Sequence, residues 1–290
     1  MFSLFTLFLS LLVLYYGGNR LVIYASSLAS KMNVSPMFIG IVIIGLGTSL
    51  PEIFVASSAV ITESPDIALG TIIGSNISNI LLVLGLSLLL FKNNVFENIS
   101  RKSGDLIFMI IVTIIFSLLL DRYGVISLSM ATIMILMVPV YLFMSYKFFN
   151  PNGEEYSVDK GDTYFRIALN IIIGFSLLYI GTELFVLSLK DISVTYGVPE
   201  AIIGLSIAAV GTSLPEIVVS ISSAINKQER MLLGNLIGSN IINILGALGL
   251  ASIINNSIEI PKDSSDIHLY LICLSALWLF FLVGLNIDIR

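Results

Sequence analysis

Charged residues are scarce in this sequence, and cysteine and histidine occur only once each. Only 11% of the 290 residues are charged, whereas soluble domains carry about 25%. The single cysteine, Cys273, and the single histidine, His268, exclude a disulfide framework and a Cys/His metal cluster. Apolar residues make up 57% of the chain, and the mean hydropathy is +1.01. This composition indicates an integral membrane protein.

Long apolar segments fill most of the chain. A helix crosses the hydrocarbon core with about 20 apolar residues. The predicted spans are 4–29, 36–60, 67–91, 105–120, 124–146, 165–189, 200–224, 231–254 and 267–285. The polar stretch 150–163 is predicted to be a short cytoplasmic linker between two halves.

The charges in the loops predict an orientation, because Lys and Arg concentrate in short cytoplasmic loops. With the N-terminus outside, ten basic residues fall on the inner side and three on the outer side. The inner ten are Lys31, Lys92, Arg101, Lys102, Lys147, Lys160, Arg166, Lys227, Arg230 and Arg290, and the outer three are Arg122, Lys190 and Lys262. We therefore expect the N-terminus outside and the central linker inside.

The sequence matches itself at an offset of 164 residues. GTSLPEI at 47–53 recurs at 211–217, and ten of the thirteen positions 74–86 are identical in 238–250. This internal repeat divides the chain into a first half, 1–149 (motif 40–86), and a second half, 164–290 (motif 204–250). Equivalent elements are five spans apart, so the second half enters the membrane from the opposite side. The fifth span has no partner before Arg290, and we expect two inverted repeats of five helices with the tenth helix absent from this chain.

Each half carries a stripe of oxygen-bearing residues on its second span. The spacing i, i+3, i+4, i+7 places such residues on one helix face. The stripes are Gly45, Thr48, Ser49 and Glu52 in the first half, and Ala209, Thr212, Ser213 and Glu216 in the second. Pairs at i, i+4 on the following spans add Ser75 with Asn79 and Ser239 with Asn243.

The prolines beside the two glutamates predict broken helices. Pro51 and Pro215 lack an N–H, so the carbonyls four residues earlier lose their helical partner. Irregular backbone survives at membrane depth only where it is buried in protein or lines a cavity. Hydroxyls, amides, carbonyls and two carboxylates form an all-oxygen set, which suits Ca²⁺ and also Na⁺.

The glutamates are the strongest functional signal, because a charged side chain at the bilayer centre costs about 3 kcal/mol on insertion scales. Two at equivalent positions indicate a shared cation site. The glycines Gly70, Gly74, Gly234 and Gly238 are instead expected to serve close helix packing.

The paired GTSLPE and GSN segments resemble the two α-repeats of the sodium/calcium exchanger family, within the calcium/cation antiporter superfamily. The short linker makes the chain similar to the compact prokaryotic members. The resemblance implies an all-α membrane fold with ten helices and cation sites at the midplane. It implies that the residues of both stripes and of both i, i+4 pairs are cation ligands, with Gly45 and Ala209 acting through their backbone carbonyls. Family members often carry Asp at the position of Asn243, and that Asp is characteristic of the potassium-dependent members. Because this chain has Asn there, the resemblance implies a site with only two carboxylates and no K⁺ co-transport.

These observations predict a secondary antiporter in a prokaryotic plasma membrane. It is expected to exchange Na⁺ for Ca²⁺ by alternating access, with net movement of charge in each cycle. Na⁺ and Ca²⁺ are the expected transported ligands and lipid the surrounding partner. No cofactor and no nucleic acid are expected, and a monomer is expected to suffice. A Ca²⁺/H⁺ antiporter is the nearest alternative, and a channel is an alternative of another class. The spans contain neither an HExxH motif nor a Ser–His pair, so the sequence gives no support to an intramembrane hydrolase.

Overall fold

The computed structural model describes residues 2–90, 104–149, 162–197, 200–259 and 272–273. The predicted ninth span lies outside these ranges except for residues 272–273. The linker, apart from residues 162–163, also lies outside them, as do the loop charges Lys92, Arg101, Lys102, Lys160, Lys262 and Arg290.

The described chain is almost entirely helical. The first half contains α1 (Phe2–Met32), α2 (Pro36–Thr48), α3 (Leu50–Ile61), α4 (Pro65–Ser78, Asn79–Val83 and Leu84–Leu90), α5 (Gly104–Tyr123), β1 (Val125–Ser127) and α6 (Leu128–Phe149). The second half contains α7 (Tyr164–Thr195), α8 (Glu200–Ile225), α9 (Glu229–Ile254) and β2 (Ser257–Glu259). Three π-helical segments interrupt this regular pattern near the predicted site, at Gly40–Gly45, Asn79–Val83 and Asn243–Leu248.

Within the described ranges the helices agree with eight predicted spans. Six continuous helices are long and apolar enough to cross a membrane, and α2 with α3 forms a seventh span bent by 41°. The helix α8 is 26 residues long, with an apolar C-terminal part at Gly211–Ile225.

The predicted fifth span, 124–146, starts too early. Val125–Ser127 forms a short antiparallel pairing with Ser257–Glu259. The helix α6 begins only at Leu128, because the side chain of Ser127 caps it by accepting a hydrogen bond from the amide of Met130 (3.4 Å).

The two halves share their turns as well as their motifs. Asn33 and Gly197, which are 164 residues apart, both have positive φ (54° and 70°). Glu63 and Lys227, also 164 residues apart, have φ of 57° and 55°. The repeat detected in the sequence is therefore also a repeat of backbone conformation.

The long helices α1 and α7 run antiparallel along their whole length. Thr6 contacts Ser188 at one end (2.8 Å), and Lys31 donates to the carbonyl of Asp162 at the other. Close approach in the middle depends on glycine. A Cβ at Gly17 would lie 2.9 Å from the Cβ of Leu177, and one at Gly181 would lie 2.7 Å from Leu14.

The core lies around α9, which is the most buried of the candidate spans. Its neighbours in one apolar cluster come from α3, α4, α5 and α6, and include Ile72, Leu106 and Tyr141. A second cluster joins α1, α2 and α7.

Candidate cation site

Only one of the two spans that carry the GTSLPEI motif is broken beside its proline. In the first half, Ser49 leaves the helical conformation (φ −81°, ψ 0°), and Pro51 is the second residue of the new helix α3. In the second half, α8 continues through Pro215 as one helix. The prediction of two broken helices is therefore wrong for the second motif, where the helix accommodates the missing hydrogen bond without ending.

The two glutamates are completely buried. Glu52 lies in the first turn of α3, where the positive end of the helix dipole favours a carboxylate. Glu216 follows Pro215 inside α8. The two carboxyl groups lie close enough to interact electrostatically, and each lies near the motif threonine of the opposite half, Thr212 for Glu52 and Thr48 for Glu216. The inverted halves therefore bring both acids to one place.

The two acids and four other residues of the predicted site carry buried oxygens that have no hydrogen bond among the described residues. Oε1 of Glu52 accepts a hydrogen bond from the Ser75 hydroxyl (2.9 Å). Seven other oxygens have no hydrogen-bond partner among the described residues: Ser49 Oγ, Glu52 Oε2, Asn79 Oδ1, Ser213 Oγ, both carboxyl oxygens of Glu216 and Asn243 Oδ1. An unpaired buried polar atom costs about 1–3 kcal/mol. Such a concentration of free acceptors is what a cation requires.

A second group of oxygens lies on the α2–α9 side. The Thr48 hydroxyl lies 3.1 Å from Asn235 Oδ1, 3.3 Å from Ser239 Oγ and 3.4 Å from the carbonyl oxygen of Gly45. Ser239 Oγ is also 3.3 Å from that carbonyl. These four neutral oxygens carry only two protons between them, so lone pairs remain for a hard cation such as Na⁺.

The amide side chains connect α4 with α9. Asn243 Nδ2 donates to Asn76 Oδ1 (2.9 Å) and lies 3.4 Å from Ser75 Oγ. Asn79 Nδ2 and Oδ1 have no partner among the residues that the structure describes. Both site asparagines, Asn79 and Asn243, begin π-helical segments, a deviation that often occurs at functional sites.

Most of the predicted set is buried. Nine of the twelve residues are at most 4% exposed: Thr48, Ser49, Glu52, Ser75, Asn79, Ser213, Glu216, Ser239 and Asn243. Gly45 is buried with them, and Thr212 is half-buried. Ala209 lies on α8, and nothing further is described of its environment. The ligand roles of these residues remain a prediction.

Three polar residues near the site were not predicted. Asn235 accepts a hydrogen bond from Thr48 and donates to Ser220 (3.3 Å). Asn76 and Asn240 contact each other between α4 and α9. The occurrence of these two asparagines in both copies of GSN could have indicated them, whereas Asn235 gives no such signal because Thr71 occupies the equivalent position.

The glycines of the two halves are packed differently, and this makes the site asymmetric. A Cβ at Gly238 would lie 2.8 Å from the Cα of Ile41, and one at Gly40 would lie 2.6 Å from the carbonyl of Met231. Gly70 and Gly74, which are equivalent to Gly234 and Gly238, are exposed, with no described atom within 4 Å of such a Cβ. The packing prediction is confirmed for Gly234 and Gly238, whereas for Gly70 and Gly74 it stays a prediction, because they make no such contact with the described residues. The backbones of α2 and α9 are therefore in close contact, and no equally close contact is described for the N-terminal half of α4.

Comparisons with known proteins agree on one family. Residues 2–147 and 167–288 match the family model described as sodium/calcium exchanger protein. An uncharacterised membrane protein of Methanocaldococcus jannaschii is 34% identical over 275 residues, covering 94% of this chain and 87% of that protein. The sodium/calcium exchanger MaX1 of Methanosarcina acetivorans is 27% identical, covering 85% of this chain and 81% of that protein.

A solved structure has the same fold. The sodium-calcium exchanger NCX_Mj, soaked with 10 mM Na⁺ and no Ca²⁺, superposes with a TM-score of 0.85 at 30% identity. The match covers 98% of this chain and 91% of that one. A second structure of the same exchanger, soaked with 2.5 mM Na⁺ and 10 mM Sr²⁺, gives a TM-score of 0.84 at 29% identity, covering 97% of this chain and 90% of that one.

Proposed function

The chain belongs to the sodium/calcium exchanger family, and from that premise we propose that it exchanges Na⁺ for Ca²⁺ at the site between Glu52 and Glu216. Family membership makes it a cation antiporter and a transporter rather than an enzyme. The observation that carries the ion assignment is the set of seven buried oxygens without hydrogen bonds among the described residues, three on the two glutamates and four on other residues of the predicted site. Na⁺ and Ca²⁺ both take such hard oxygen ligands.

The charge of the site explains why the two ions exclude each other. Two carboxylates carry a charge of −2, which one Ca²⁺ neutralises. A small group of Na⁺ ions bound to the same oxygens would neutralise the same charge. Because burying an unbalanced charge is costly, either ion species is favourable alone and the two together are not. Competition for one site, combined with access from one side at a time, produces antiport.

Neutral ligands favour Na⁺ over H⁺ as the counter-ion. A proton needs only a carboxylate oxygen, so Glu52 and Glu216 alone would serve a Ca²⁺/H⁺ antiporter. The group formed by Thr48, Ser239, Asn235 and the Gly45 carbonyl adds oxygens that a proton does not use. We assign this group to Na⁺.

The asymmetric glycine packing supports alternating access. We infer that the close contact of α2 with α9 closes the site on one side, and that the loosely packed side beside the N-terminal half of α4 is the open one. In the orientation that the loop charges predict, the closed side faces the cytoplasm of a prokaryotic cell and the open route faces outside. The antiparallel pair α1 and α7 is the candidate for the part that moves past the site.

The test is ⁴⁵Ca²⁺ uptake by purified protein in liposomes, with gradients of Na⁺, H⁺ and K⁺ imposed one at a time. An outward Na⁺ gradient is expected to drive uptake without K⁺. If more Na⁺ charge than Ca²⁺ charge moves, an imposed potential should change the rate, by about 2.3 kcal/mol of driving force per net charge per 100 mV. Uptake driven only by a pH gradient would replace the proposal with Ca²⁺/H⁺ antiport. Flux without any counter-ion would indicate a channel.

A further inference from the structure

Two equivalent asparagines meet at the centre of the molecule. Asn76 on α4 and Asn240 on α9 are 164 residues apart and almost completely buried. Asn76 Nδ2 donates to the backbone carbonyl of Asn240 (3.1 Å). A contact between equivalent residues of inverted repeats marks the pseudo-twofold axis relating the halves.

The hydrogen bonds of this pair are not symmetric. Asn76 reaches across to α9 and also accepts a hydrogen bond from Asn243 Nδ2 (2.9 Å). Asn240 turns back to its own helix and donates to the carbonyl of Leu236 (2.7 Å). As a result Asn243 has its amide nitrogen engaged, whereas its equivalent Asn79 has no partner among the described residues.

The pseudo-symmetry provides the opposite arrangement. If the roles of the halves are exchanged, Asn240 donates to the carbonyl of Asn76, and Asn79 donates to Asn240 Oδ1. Asn76 then turns back to the carbonyl of Ile72, and Asn243 is released. This exchange breaks and makes the same kinds of hydrogen bond, so the two arrangements are close in free energy, as a reversible switch requires.

We propose that Asn76 and Asn240 are positioning residues that exchange hydrogen-bond partners between the two access states. In each state the asparagine that crosses accepts a hydrogen bond from the amide nitrogen of one site asparagine and so fixes the direction of its oxygen, while the other site asparagine lacks this contact. Asn79 lacks it in the state with the α2–α9 side closed, and Asn243 lacks it in the opposite state. The inference rests on the alternating access of the proposed function but not on which ion drives it.

The test compares Asn76→Ala with Asn240→Ala by amide hydrogen exchange in detergent without Ca²⁺. The segment 65–78 lies beside the open route, and the segment 229–242 lies beside the closed one. Asn76→Ala removes two contacts between α4 and α9 from this state and one, to the carbonyl of Ile72, from the opposite state. The net loss of about one hydrogen bond should move the population toward the opposite state roughly fivefold. Exchange should then rise in 229–242 and fall in 65–78.

Asn240→Ala should produce the reverse pattern, because its amide crosses only in the opposite state. The double variant should return to the wild-type distribution. If both single variants raise exchange in both segments, the asparagines only hold the fold together and the inference is wrong. Should alanine prevent folding, Asn76→Ser and Asn240→Ser shorten the side chains similarly and give the same readout. Loss of Na⁺-driven flux with opposite exchange patterns intact would overturn the ion assignment alone.

Discussion

Replacing Glu216 with glutamine should weaken Ca²⁺ binding at least a hundredfold, by roughly 3–5 kcal/mol, while leaving the protein folded. Neither carboxyl oxygen of Glu216 has a hydrogen-bond partner among the described residues, and the side chain is completely buried. Glutamine has nearly the same shape, so packing around α8 is retained. The substitution removes one of the two negative charges that balance Ca²⁺.

The expected size of the effect follows from the charge left behind. With one carboxylate remaining, bound Ca²⁺ would place a net positive charge in a site without solvent exposure. Removing one partner of a buried ionic pair costs about 3–5 kcal/mol. At about 1.4 kcal/mol per tenfold change, Ca²⁺ affinity should fall by a factor between roughly one hundred and a few thousand.

The assay is calorimetric titration of Ca²⁺ into purified protein, together with thermal unfolding with and without Ca²⁺. Ligand binding to the folded state raises its stability, so the Ca²⁺-dependent rise in Tm should disappear in Glu216→Gln while the ion-free Tm is retained. Glu183→Gln is the matched control, because Glu183 is an exposed membrane-helix glutamate on α7. Wild-type Ca²⁺ affinity in Glu216→Gln would refute the assignment of the site.

Three further predictions concern the site, its packing and its orientation. Asn243→Asp adds a third carboxylate and removes the Nδ2 donor to α4, so Na⁺ and H⁺ competition curves for Ca²⁺ uptake should shift; curves that overlay the wild type across pH would remove Asn243 from the site. Gly234→Ala places a Cβ against the carbonyl of Met37 and should destabilise the protein by about 1–3 kcal/mol in chemical unfolding, whereas the equivalent Gly70→Ala meets no described atom; equal losses would contradict the packing. In a Cys273→Ser background, a cysteine replacing Ser64 should react with an impermeant thiol reagent from outside and one replacing Asn152 only from inside, and the reverse labelling would invert the orientation.

The spans and the paired motif could be predicted from the sequence because both follow from local rules. Helix length and apolar content predicted the eight described spans, and the 164-residue offset predicted the pairing of the halves. The spacing from Thr48 to Glu52 alone indicates that these oxygens share one helix face. Inverted topology followed from counting the spans between the two copies.

The remaining features depend on contacts between distant segments. The two short strands at Val125–Ser127 and Ser257–Glu259 are three residues each, too short to give a periodic signal. The same GTSLPE segment breaks one helix at Ser49 and not the other, since identical local sequence lies in different surroundings. Gly70 and Gly234 occupy equivalent positions but have different neighbours, which a repeat in the sequence does not reveal.

The most direct test of the central claim is equilibrium ⁴⁵Ca²⁺ binding to purified protein during a titration with Na⁺ at constant pH and ionic strength. A shared site between Glu52 and Glu216 predicts that Na⁺ displaces all specifically bound Ca²⁺, with a Hill coefficient above one because several Na⁺ ions replace one Ca²⁺. Choline at equal concentration should displace none. Ca²⁺ that stays bound at saturating Na⁺ would contradict a common site and, with it, competitive exchange of the two ions.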